Sequence, residues 1–98
     1  MIQIIALLYA GENGVKGLRE FESQAIPILR EHNGTLISAS YNANKLEGDP
    51  DEIHVIQFPA IKNFEAYKND NRIMKLSSLK VKVIRKMDAY ITNVFLQY

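Results

Sequence analysis

Cysteine is absent from the 98 residues, so neither a disulfide nor a thiolate metal site is available. A chain of that kind suits a reducing cytoplasm, and a cytoplasmic location is the expectation. Charge of one sign is also missing. Twelve Lys and Arg against eleven Asp and Glu leave a formal net charge of +1, which supplies no global field for nucleic acid or a membrane surface. No apolar run reaches the ~18 residues a membrane-spanning helix requires. The opening MIQIIALLYA lacks the basic start and small-residue cleavage site of a signal peptide, and it fits a strand better. No Gly-rich phosphate loop, GxSxG elbow or dinucleotide fingerprint occurs, and no cofactor is expected. The only two histidines, His32 and His54, are far apart and lack an HxxxH-like spacing, so no metal centre is expected either.

What remains is an ordinary globular composition, 47% hydrophobic and 23% charged, in a chain of single-domain length spanning residues 1–98. The organising stretch is DPDEIHVIQFPAIKNFEAYKND, from Asp49 to Asp70. Gly48, Asp49 and Pro50 make a turn. Ile53, Val55, Ile56 and Phe58 form a strand that ends at Pro59, which has no N–H for the ladder. Side chains alternate along a strand, so His54 shares a face with Ile56 and Phe58, and Gln57 shares the other with Ile53 and Val55.

Before this stretch, Ile2 to Tyr9 is an apolar run broken only by Gln3, as in a strand covered on both faces. Asn13 is a candidate N-cap for the helix that follows. Leu18, Phe21, Ala25, Ile28, Leu29 and His32 fall on its apolar face, with Arg19, Glu20, Glu22, Arg30 and Glu31 outside. Pro27 predicts a kink and Asn33-Gly34 a stop. Thr35 to Tyr41 forms a second strand, and Asn42 to Asp51 a polar hairpin loop. After Pro59 a second helix starts with Phe64 and Tyr67, is interrupted at Asn69-Asp70-Asn71, and runs to about Val83. Met87 to Leu96 is the last strand.

The order β-α-β-β-α-β defines an α+β, ferredoxin-like domain, with a four-stranded antiparallel sheet and two helices on one face. Two helices cover only one face, yet the first and third strands are apolar on both. A second copy packed sheet to sheet is the simplest cover, so a homodimer is expected.

The segments FESQAIPILREHNG, DPDEIHVIQFP and NFEAYKND followed by IMKLSSLK resemble the dimeric α/β-barrel group and, within it, the family called domain of unknown function 1330. The resemblance covers most of the chain. It rests on a Phe-Pro pair closing the third strand and a Phe-x-x-Tyr pattern opening the second helix. Asn33 departs from the glycine pair usual in that family, and Lys80 stands where an Arg is usual. A lysine there offers a point charge without the bidentate fork. The resemblance implies a dimeric α/β barrel with a cavity between sheet and helices. Wider relatives include cofactor-free monooxygenases, dehydratases and isomerases.

Among the candidate site residues His54 comes first, because an imidazole titrating near 6.5 suits proton exchange in a pocket. The plainer reading is an interior histidine with a satisfied hydrogen bond. Burial should lower its pKa unless an acid such as Glu52 or Asp88 stands close enough to reverse the shift. His32, at a helix C-terminus, is better placed for a structural role. Tyr9, Tyr41 and Tyr90 are candidate ligand contacts, although aromatic residues in strands more often serve packing. Gln57 needs a partner on a buried strand, and a ligand would be one. Lys80 belongs to a basic run with Lys75, Lys82, Arg85 and Lys86 that fits a solvated face.

Three classes compete. A small-molecule pocket protein, working as a cofactor-independent enzyme, stands beside a non-catalytic metabolite-binding or structural homodimer. An RNA binder with the same element order would need exposed aromatics on its first and third strands, and IQIIALLY and EIHVIQFP do not supply them.

Overall fold

The period-two alternation of the first strand separates two environments. The computed structural model describes residues 1–98, and in it β1 (Ile2–Ala10) buries Ile2, Ile4, Ala6 and Leu8 beneath the helices. Gln3, Ile5 and Leu7 turn to the opposite face and are half-buried. The remaining elements are α1 (Gly14–Glu31), β2 (Thr35–Tyr41), β3 (Glu52–Phe58), α2 (Ile61–Lys68), α3 (Asn71–Met74), α4 (Ser77–Val83) and β4 (Ile84–Thr92). The four strands form one antiparallel sheet in the order β2-β3-β1-β4. With all four helices on one side, this is a two-layer slab whose Cα extents are 38 × 34 × 16 Å. The arrangement is the expected ferredoxin-like βαββαβ fold.

Two apolar clusters tie the layers together. Ile2, Ile4 and Phe58 of the sheet meet Leu29 of α1, with Phe64 and Tyr67 of α2 packed against them. At the other end Leu8 and Ile84 meet Leu18 of α1 and Val83 of α4. No helix is long and apolar enough to cross a membrane.

Several local expectations shift. The last strand lies earlier than 87–96: β4 is Ile84–Thr92, and it pairs only with β1 in a ladder whose final pair is Gln3 with Thr92. Asn13 does precede α1, but in a left-handed conformation (φ 65°) with no side-chain capping bond. α1 continues through Pro27, whose side is exposed. The second helical region is three helices. Asp70 takes an extended backbone at the break and accepts a hydrogen bond from the Arg72 amide at 2.9 Å, which starts α3.

At the end of α1, Asn33 adopts φ 64°, a conformation Asn tolerates better than most residues, so it does the turning expected of a glycine there. Gly34 is needed for space instead. A Cβ on Gly34 would lie 2.5 Å from Leu29 Cδ2 and 2.8 Å from Phe58 Cε1. Gly34→Ala should therefore lower the unfolding free energy by about 1–3 kcal/mol through overpacking. Urea denaturation showing unchanged stability would count against this packing.

Candidate functional site

The helix-facing side of the sheet has one level made almost wholly of alanine. Ala39 of β2 and Ala6 of β1 flank His54 of β3, and Ala89 of β4 lies beyond Ala6. Ala25 of α1 is above the sheet. Small side chains at one level leave space that the larger ones at either end do not fill. The result is a cavity of about 270 Å³ between the sheet and the helices, lined mainly by hydrophobic residues. Ile4, Leu29, Ile56 and Phe64 are among them, and His54 and Glu22 bring polar groups to it.

His54 is buried, with 8% of its side chain exposed. Its Nε2 lies 3.1 Å from Glu52 Oε1 and 3.4 Å from Glu22 Oε2. The Glu52 contact is a hydrogen bond, whereas Glu22 Oε2 is buried and has no hydrogen-bond partner. Glu52, two residues before His54, shares its face of the strand. Its other oxygen accepts from Arg19 Nε at 3.1 Å, and Arg19 reaches out to solvent. The resulting chain is Arg19–Glu52–His54–Glu22. When all four groups are ionised, their charges cancel.

Each pKa in the chain has a separate balance. Burial works to lower that of His54, but the contacts with Glu22 and Glu52 outweigh it and hold the imidazole above its ordinary value. The acid that reverses the expected shift is Glu52, joined by Glu22. Burial dominates at Glu22 and pushes its carboxyl up, against the pull of His54. Burial also acts on Glu52, yet its contacts with Glu22, His54 and Arg19 bring it below the usual carboxylate range. Because both carboxylates meet Nε2, the neutral ring carries its proton there, leaving Nδ1 with the lone pair. Tyr67 also lines the cavity, and burial pushes its phenol up to about 12, so its hydroxyl stays protonated and can donate.

The structure separates the residues that the sequence offers as candidates, of which His54 and Lys80 line this cavity. Gln57 is on the opposite, open face of the sheet, where its amide donates to Gln3 Oε1 at 3.4 Å. Tyr9 is there too, buried beneath Arg85 and Lys86 with its hydroxyl 3.5 Å from Asp88. Tyr90 shares that face and is exposed, as is Tyr41 at the β2 edge. His32 pairs with Asp70 at 2.8 Å, and Asp70 with Arg72, fastening the end of α1 to α3. Glu22 is the residue that sequence reasoning misplaces. Its charge suggests a position outside the apolar face of α1. Yet it stands four residues after Leu18, three before Ala25 and seven before Leu29, a spacing that puts it on the buried side.

A two-layer ferredoxin-like domain with an apolar cavity between its layers and a buried His–carboxylate cluster opening into it defines the class. The family model described as domain of unknown function (DUF1330) matches residues 13–94, and the chain belongs to that family. Among curated proteins, none matches it in sequence. Solved structures share the fold, among them the following three. A protein of unknown function from Rhodopseudomonas palustris is 8% identical with a TM-score of 0.82, covering 98% of this chain and 83% of its own. A Nitrosomonas europaea protein proposed to be an antibiotic biosynthesis monooxygenase is 12% identical with a TM-score of 0.74, covering 98% and 100%. A dabb family protein with a ferredoxin-like fold from Mesorhizobium loti is 11% identical with a TM-score of 0.71, covering 96% of each chain.

Proposed function

We propose that the chain is a homodimeric protein that holds a mainly apolar small molecule in the helix-side cavity and exchanges a proton with it at His54. The observation that carries this is the cluster at the cavity wall, where a buried imidazole is held by two carboxylates through Nε2 alone. Such a ring removes a proton through Nδ1 when neutral and returns one when charged. The chemistry it supports is abstraction from an activated C–H bond or a phenol, of isomerase or monooxygenase type and without an organic cofactor. The similarity to a proposed monooxygenase is consistent with this reading.

The cavity can be tested directly with 1-naphthol, an apolar phenol, as the probe. Saturable binding is expected, and Ala89→Phe should abolish it by filling the space, because Ala89 lines the cavity and is exposed on β4. Binding that survives this substitution would place the probe elsewhere. A substrate that binds but never turns over would assign the chain to the non-catalytic class.

Support for the homodimer comes from the open sheet face. Ile5, Leu7, Ile53 and Val55 point away from the helices, and no element of the chain covers them. In a sheet-to-sheet dimer, Tyr9, Gln57 and Tyr90 would lie at the subunit contact. Sedimentation equilibrium should show a dimer at micromolar concentration, and a stable monomer would contradict the assembly. The even charge balance favours neither nucleic acid nor membrane as a partner. A chain without cysteine needs no oxidising compartment, which supports a cytoplasmic location.

A further inference from the structure

The Glu22–Glu52–His54 cluster carries more than a proton-exchange site needs. Two carboxylates and an imidazole from α1 and β3 each offer one ligand atom, and those atoms all lie within 4.8 Å of one another. Hydrogen bonding within the chain accounts for only part of the cluster. His54 Nε2 donates to Glu52, while Glu22 Oε2 is buried and unpartnered. The nearest donor to that oxygen is the Nε2–H 3.4 Å away, already given to Glu52; a buried carboxylate oxygen left so poorly satisfied is costly and points to a missing cation or proton.

The spacing discriminates further. Metal–nitrogen and metal–oxygen bonds of about 2.0–2.2 Å put neighbouring ligand atoms about 2.9 Å apart at a right angle and about 3.4 Å apart at the tetrahedral angle. The two distances from Nε2 are 3.1 and 3.4 Å. Arg19, bonded to the far oxygen of Glu52, supplies the outer-sphere contact that orients a ligating carboxylate. The remaining coordination positions would face the cavity.

We infer that this cluster is a divalent transition-metal site, with Glu22, Glu52 and His54 Nε2 as ligands. The mixed imidazole and carboxylate set selects Zn²⁺ or Mn²⁺ over Ca²⁺, which prefers six to eight oxygens. The inference rests on the cavity reading and changes how the site acts when loaded: with Nε2 on the metal the ring proton moves to Nδ1, so the metal, as a Lewis acid beside the pocket, and not His54 as a base, would activate the polar end of the bound molecule.

The experiment uses untagged, chelator-treated protein titrated by calorimetry with Zn²⁺, Mn²⁺ and Ca²⁺ separately. Zn²⁺ should bind with one ion per chain at micromolar or better affinity, and Ca²⁺ should not bind. Glu22→Gln should weaken Zn²⁺ binding by about tenfold or more while circular dichroism and thermal midpoint show the fold retained. His32→Gln, which removes the separate His32–Asp70 pair, should leave it unchanged. Absence of saturable Zn²⁺ binding, equal binding by Glu22→Gln, or loss through His32→Gln would each overturn the metal site. Binding of 1-naphthol is measured on the same metal-free sample. If the probe binds and Zn²⁺ does not, the metal inference fails alone; if Zn²⁺ binds and the probe does not, the cavity reading fails alone.

Discussion

Phe58→Ala should lower the unfolding free energy by about 3–5 kcal/mol, a large part of what a domain of this size holds. Phe58 is 1% exposed and sits where the sheet and both helical regions converge. Its ring centroid is 5.6 Å from that of Phe64 and 6.2 Å from that of Tyr67, while Ile2, Ile4 and Leu29 close around it. Removing the ring forfeits its transfer free energy and enlarges a cavity that the neighbours cannot collapse into, because α1 and α2 are held apart by the remaining core. Urea unfolding should show a much lower midpoint with little change in slope. Leu46→Ala, at a position 75% exposed in the β2–β3 loop, should stay within about 0.5 kcal/mol of the parent. A Phe58→Ala effect as small as that of Leu46→Ala would contradict the packing described.

His54→Gln should reduce ligand affinity or turnover tenfold or more, about 1.4 kcal/mol, with the fold retained. Glutamine can still donate to Glu52 but cannot exchange a proton. The substitution also carries a pH signature. The folded-state pKa of His54 is raised above 6.5, so its contribution to stability is fully present below that value and is lost as pH rises through the folded pKa. Glu22 is raised too, so its contribution is present below 4.5 and is lost as pH rises through its folded value. Glu52 is lowered and acts in the opposite sense, contributing above 4.5 and losing that contribution as pH falls through its folded value. The stability gap between parent and His54→Gln should therefore be widest on the acid side of 6.5 and narrow as pH rises. A gap that widens above neutrality would refute the paired-carboxylate account, as would a loss of several kcal/mol at all pH values.

Strand register is legible in the sequence because it depends on a period of two. His54 with Ile56 and Phe58, and Gln57 with Ile53 and Val55, fall on the faces that alternation assigns, and Thr35–Tyr41 forms the predicted strand. The end of β4 is not legible, because nothing in Asn93–Leu96 announces that the ladder with β1 stops at the Gln3–Thr92 pair. The site is partly readable. His54 stands out as one polar side chain in an apolar strand. Glu22 escapes notice when its charge is weighed above its helical position. The alanine level that makes the cavity joins four strands, and no local pattern shows that Ala6 and Ala39 flank His54 with Ala89 beyond Ala6. Tyr9, Gln57 and Tyr90 resemble His54 as polar groups on strands, and register puts them on the other face.

Contact between His54 and a molecule bound in the helix-side cavity is the centre of the functional reading. The most direct measurement follows both imidazoles by ¹H–¹⁵N NMR while 1-naphthol is added to the protein. His54 ring signals should move in step with saturation, and those of His32, tied to Asp70 across the α1–α3 contact, should stay in place. Saturable binding that leaves the His54 signals unmoved would contradict the account.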